Sequence, residues 1–221
     1  MLVQASKMEA VQRYKLRKKV MAAVIAVIVL SSTACSSSLI MQTYANIPTP
    51  SVTSWPVNAA VLCEQQTCSH VYSENTSSRP NWEVTTGPSH KKLLHQALSP
   101  LFLSTTLVDS LDDVSTKTDF VITPTLQDTQ FSLPSETNLK HYEAWFKYSV
   151  SIMSIDGEVV TSFPVSGYGK AENTVFKNNQ QGLQLAANMA FRDLGAKLIL
   201  GIKQHPKIKV KLVNNVNGHR K

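Results

Sequence analysis

Cys63, Cys68 and His70 place three potential metal ligands within eight residues. Thiolate and imidazole suit zinc, but a structural zinc site takes four ligands and the sequence offers no obvious fourth. The same two cysteines can instead bond to each other or remain free thiols. His90 and His95 sit in a segment of helical periodicity. Five residues turn a helix by about 140°, so their rings point in different directions, and solvated positions are expected for both. Asp112-Asp113 is a pair in sequence only, because adjacent side chains diverge, and a polar turn accounts for it. Gly167-Tyr168-Gly169-Lys170 has the glycines of a phosphate loop. It lacks the following Ser/Thr and the strand–loop–helix setting, and reads as the end or a bulge of a strand. Neither a G-x-S-x-G elbow nor an H-E-x-x-H pair occurs. These residues assign no catalytic role, no cofactor site and no metal site.

Trp145 is different in kind. Tyr142, Ala144, Phe146, Tyr148, Val150 and Ile152 alternate with Glu143, Lys147, Ser149 and Ser151, the period of two that marks a long half-buried strand. Trp145 interrupts the polar face. It is the candidate binding surface, either an aromatic anchor for a partner or a side chain covered by another part of the chain. Asp156-Gly157 supplies a tight turn, after which Val159, Thr161, Phe163 and Val165 return as the partner strand.

The elements that must position this hairpin can be read around it. Residues 57–62 and 81–85 read as strands. Gly87-Pro88 opens a helix with Leu94, Ala97, Leu98 and Leu101 on one face, ending near Pro100. A short strand is expected at 107–111. In 120–133 the alternation slips before Phe131 and Pro124 intervenes, the marks of a bulged or edge strand. From 179 to 202, Leu183, Ala186, Ala187, Ala190, Phe191, Leu194 and Leu198 form one apolar stripe. The order predicts an α+β, two-layer domain: a mostly antiparallel sheet with two helices on one face.

The net charge of +7 does not describe that domain. Residues 1–35 hold six bases against Glu9, and 203–221 hold six bases and no acid. Between them ten bases meet fourteen acids, a charge of −4. The basic balance belongs to the two ends and gives no nucleic-acid-binding face.

The N-terminal end has its own logic. Lysines and arginines at 13–19 precede an aliphatic run from Val20 to Leu30, then Ser-Ser-Thr-Ala-Cys. Even extended to Ala34 the run has 15 residues, short of the roughly 20 that span a bilayer. The pattern is that of a secretory signal, whether translation begins at Met1 or Met8. Residues 15–38 resemble a bacterial lipoprotein signal, in which Cys35 follows Ala34. Ser32 stands where that family usually has Leu, with Leu30 two residues earlier. The resemblance implies cleavage before Cys35 and acyl chains on its sulfur and new amine. Ser36 and Ser37, with no Asp after the Cys, imply sorting to the outer membrane, the inner membrane and cell surface being the alternatives. An oxidising periplasm then favours a disulfide between Cys63 and Cys68.

The expected organisation is a signal peptide at 1–34, lipidated Cys35 and a charge-free Ser/Thr/Pro tether through 55, the α+β domain at 56–202, and a basic tail at 203–221. The tail reads as an edge strand or as disordered. Residues 90–202 resemble small proteobacterial outer-membrane lipoproteins of unassigned function. The likeness rests on Tyr142-Glu143-Ala144-Trp145-Phe146, then Asp156-Gly157, Gly167-Tyr168-Gly169 and the Ala-rich closing helix. It implies an architecture and a location, and no catalytic residue or cofactor. Three functions fit, of which the first is our reading: a non-enzymatic accessory or assembly factor docking an envelope protein. The others are a lipid-, glycan- or peptidoglycan-binding module and an envelope hydrolase.

Overall fold

The computed structural model describes residues 39–176 and 178–218; residues 1–34 and Cys35 lie outside the described residues. The alternation of Tyr142 through Ile152 holds along all of β7 (His141–Ser154), where every even-numbered residue is buried and no odd-numbered one is. β8 (Val159–Glu172) pairs with it antiparallel through a turn in which Gly157 takes φ +82°. β6 (Phe120–Ser132) pairs antiparallel on the other side. β2 (Trp55–Leu62) and β5 (Phe102–Val108) complete a five-stranded sheet of order β5-β2-β6-β7-β8. Their ladders are parallel, so the sheet is mixed, antiparallel over its long ladders and parallel over its short ones. Parallel pairing of β2 and β5 needs a crossover, and α2 (Gly87–Leu98) lies within it. The strand expected at 107–111 lies earlier, as β5.

Pro124 and the phase slip sit in an interior strand. β2 pairs with β6 over Phe120–Ile122, and further along, that side of β6 meets α1 (Gln65–Cys68) instead of a strand. Thr67 of α1, fully buried, donates to the Pro124 carbonyl at 3.4 Å and accepts from Leu126 N at 3.0 Å. The bulge between Leu126 and Asp128 follows at once. Cys63, after β2, and Cys68, ending α1, are disulfide-bonded with Cα atoms 5.8 Å apart. The bond closes the loop that carries Thr67 to this edge.

A second, three-stranded sheet orders β1 (Leu39–Gln42), β4 (Trp82–Thr85) and β3 (Val71–Glu74) as β1-β4-β3. β1 runs parallel to β4 and β3 antiparallel to it. Leu39, Met41, Trp82 and Val84 join the same core as the large sheet and the helices.

For residues 39–47, this pairing corrects the reading of 35–55 as a tether with little fixed structure. From 39 to 47, Leu39, Met41, Thr43, Ala45 and Ile47 are buried while Ile40, Gln42, Tyr44 and Asn46 are exposed. The segment is a strap between α2 and α4 (Asn179–Gln204). Thr43 N donates to Thr85 O at 2.9 Å. Ser89 of α2 donates to Thr43 O at 2.7 Å and accepts from Ala45 N at 3.1 Å. On the other side Asn46 N donates to Asn188 Oδ1 at 2.8 Å and Gln184 Nε2 to Tyr44 O at 3.3 Å. Burial of Leu39, Met41 and Ile47, at about 1.5–3 kcal/mol each, holds the strap down. Ser, Thr and Pro are abundant here without making the segment loose, because its backbone groups find partners on both helices.

The basic tail is corrected as well: residues 206–218 form a helix, α5 (Pro206–Gly218). A strand would bury Ile208, Val210 and Leu212 together. Ile208 and Leu212 are buried and Val210 is 62% exposed, the spacing of one helix face. The packed domain therefore runs past both expected boundaries, 56 and 202. Among the described residues no helix is long and apolar enough to cross a membrane.

The glycines of Gly167-Tyr168-Gly169 lie inside β8, beneath α4. A Cβ on Gly169 would overlap the Ala186 carbonyl oxygen, and one on Gly167 the Ala190 carbonyl oxygen. Their role is close approach of a helix backbone to a strand, matched by the small residues of the α4 stripe. Gly169→Ala is expected to cost about 1–3 kcal/mol in urea unfolding, the range for overpacking. A change below about 0.5 kcal/mol, that of an indifferent surface position, would show that α4 does not sit this close.

Candidate functional site

With the helices and strap on one face of the large sheet, part of the other face is open. At one end of it Ala60, Leu62, Val108 and Val121 form a small second cluster against Val114 and Met153. Toward the middle stand short polar side chains, including Thr123, Thr125, Ser149 and Ser151. At the far end is Trp145, half-buried, in register with Gln130 on β6 and Tyr168 on β8. These residues with Ser132, Glu143 and Ala144 line a shallow depression of about 240 Å³. Tyr168 is 44% exposed, and its hydroxyl donates to Glu143 Oε1 at 2.5 Å. That bond, then burial, pushes the phenol up to about 12, so it stays a protonated donor. The surface thus offers an apolar ring, an acid and neutral hydrogen-bonding groups.

Gln130 and Ser132 also line a neighbouring depression of about 460 Å³ with Arg79, Glu74, Glu136 and Tyr72. Its charges are already engaged. Arg79 grips Glu136 through Nε at 2.6 Å and Nη2 at 2.5 Å, and reaches Glu74 through Nη1 at 2.7 Å. Nη2 also donates to Phe131 O at 2.8 Å, and the guanidinium lies 4.5 Å over the Trp82 ring. Glu136, in α3 (Pro134–Thr137), accepts from Leu133 N as well. The network holds the guanidinium well above its ordinary range, first through Glu136. It joins β3 and β4 to the end of β6, a structural clamp that sequence spacing could not reveal, since Arg79 and Glu136 are 57 residues apart. Trp82, 3% exposed beneath it, belongs to the core.

His90 departs from its expected solvated position. It is fully buried among Phe146, Phe191 and Tyr148, with Nδ1 2.6 Å from the Tyr148 hydroxyl. Nε2 has no hydrogen-bond partner among the described residues. Burial, then the neighbouring His70, pushes the imidazole down to about 3. The signal was present: His90 stands four residues before Leu94 and seven before Ala97, on the apolar face itself. His95 is exposed, and Asp112 and Asp113 lie in an exposed turn. His70 bonds Thr86 through Nδ1 at 2.6 Å and stands apart from the bonded cysteines. Among the described residues no group of three potential metal ligands comes together.

No protein-family model matches the chain, and no curated protein does. Among solved structures, a DUF330 protein from Xanthomonas campestris is similar at a TM-score of 0.45 and 10% identity, covering 84% of this chain and 99% of that one. A putative neuraminyllactose-binding hemagglutinin homolog from Helicobacter pylori gives 0.45 and 10%, covering 80% and 100%. A minor lipoprotein from Acinetobacter baumannii gives 0.39 and 9%, covering 68% and 93%.

The buried imidazole makes stability depend on pH. His90 is neutral when folded, whereas in the unfolded chain it titrates near its usual 6.5. Below that value the unfolded state takes up the extra proton. Stability is therefore full above about pH 6.5 and falls as the pH drops toward 3. Between pH 7 and pH 5 the His90 contribution is expected to be about 2 kcal/mol in urea unfolding. His90→Gln is expected to flatten that slope; an unchanged slope would place the acid sensitivity elsewhere.

Proposed function

We propose that this protein is a lipid-anchored bacterial lipoprotein, held to the outer membrane by Cys35 with its domain in the periplasm. Its role is that of a non-enzymatic accessory or assembly factor that docks an envelope protein on the open sheet face around Trp145. The observation carrying the docking half is the position of Trp145 within an open depression, with Tyr168 and Gln130 in register beside it. An aromatic ring flanked by hydrogen-bonding groups is the composition of an interface anchor. The anchor half rests on the leader and on Cys35 after Ala34. The Cys63–Cys68 disulfide fits an oxidising compartment.

Mass spectrometry of the mature N-terminus with membrane fractionation tests the anchor. The expected result is a triacylated Cys35 in the outer-membrane fraction, lost in Cys35→Ala. A mature chain that begins elsewhere and is soluble would overturn the lipoprotein reading. For the docking face, a photocrosslinking residue in place of Trp145 is expected to give one discrete protein adduct in cells, absent when the same residue replaces exposed Lys117. Equal labelling from both positions would remove the docking role.

A further inference from the structure

The strap that closes the core also fixes how far the domain can stand from Cys35. Between Cys35 and Leu39, the first residue of β1, there are four Cα steps, at most about 14 Å of chain. A tether free to Trp55 would reach roughly 70 Å. Acyl chains on Cys35 put that residue at the headgroup level, and the whole headgroup layer is only about 5–8 Å deep on each side of the hydrocarbon. β1 is therefore confined close to the membrane surface.

β1 and its continuation present four side chains outward, Ile40 and Tyr44 with the uncharged amides Gln42 and Asn46. Ile40 is 71% exposed and Tyr44 66% exposed, and the alternation of the strap puts both on its outer side. Tyrosine, with an apolar ring and a polar tip, favours the membrane–water interface. Bases flank the strap on both helices: Lys92 follows Ser89 by one turn of α2, and Arg192 follows Asn188 by one turn of α4, both exposed. Glu83, in register with Ile40, is exposed too. Attraction to lipid phosphates is accordingly modest, and the apolar pair sets the orientation.

We infer that the strap is a membrane-contact surface, with Ile40 and Tyr44 seated in the headgroup layer of the bilayer that holds Cys35. This rests on the lipidation of Cys35 proposed above. It turns the strap side of the helical layer toward the lipid and leaves the Trp145 face directed away from it.

The test uses full-length, lipidated protein with its disulfide intact, in vesicles of phosphatidylethanolamine and phosphatidylglycerol. Ile40→Cys, Tyr44→Cys and, on the open sheet face, Ser149→Cys are each labelled with an environment-sensitive fluorophore. Lipids bearing a headgroup nitroxide serve as quencher. Labels at 40 and 44 are expected to lose about half their emission or more, while the label at 149 is unaffected. Two exposed positions are used so that a folding defect in one variant does not decide the result. If mass spectrometry shows acylated Cys35 and the protein floats with the vesicles, yet labels at 40 and 44 are quenched no more than at 149, the contact surface is wrong and the lipoprotein reading stands. If Cys35 carries no lipid, both fall.

Discussion

The docking of residues 39–47 between the two long helices is the constraint on which the rest of the molecule depends. β1 supplies an edge strand to the small sheet, and Ala45 and Ile47 fill the seam between α2 and α4. A segment that looks like a spacer is thus part of the core. β1 begins four positions after Cys35, so a lipid anchor there, as proposed above, would be joined to the fold by a short stretch of chain. The strap also occupies the helical side of the large sheet, which keeps it off the face where Trp145 lies.

The two sides of the large sheet are built by different means. On the covered side contact is close because side chains are missing: Gly167 and Gly169 let the backbone of α4 descend onto β8, and Ala186 and Ala190 meet them. Even the polar groups there are internal. His90 and Tyr148 bond each other through Nδ1 and the hydroxyl in a ring-lined site, where burial keeps the imidazole neutral. Arg79 donates to Glu74, Glu136 and a backbone carbonyl, bracing the small sheet against the end of β6. Beside that clamp, Trp145, Gln130 and Ser132 retain accessible surface.

Sequence reading succeeded where one periodicity ran unbroken. The alternation of 142–152 and the stripe from Leu183 to Leu198 appear in the structure as β7 and α4, every residue of both sets buried. It failed where composition was allowed to outweigh periodicity. Leu39, Met41, Ala45 and Ile47 have the spacing of a strand, but Ser, Thr and Pro around them read as a tether. Ile208 and Leu212 have helical spacing, but the basic composition of the tail read as an edge strand or as disorder. His90 was weighed only against His95, although its position relative to Leu94 and Ala97 placed it inside. The Arg79 clamp and the Thr67 plug on β6 depend on residues some 60 positions apart, and no local pattern encodes such pairs. Trp145 was legible as an interruption of a polar face; its neighbours Gln130 and Tyr168 became visible only with the strand register.

The central claim, that residues 39–47 are a packed strap and not a spacer, is tested most directly by native-state hydrogen exchange on the full-length protein. The amides of Thr43, Ala45 and Asn46 are bonded to Thr85, Ser89 and Asn188. The account predicts that they exchange with protection comparable to the buried positions of β7, opening only with the domain. Exchange of residues 39–47 at the rate of an unstructured peptide, while β7 stays protected, would contradict it and restore a free tether.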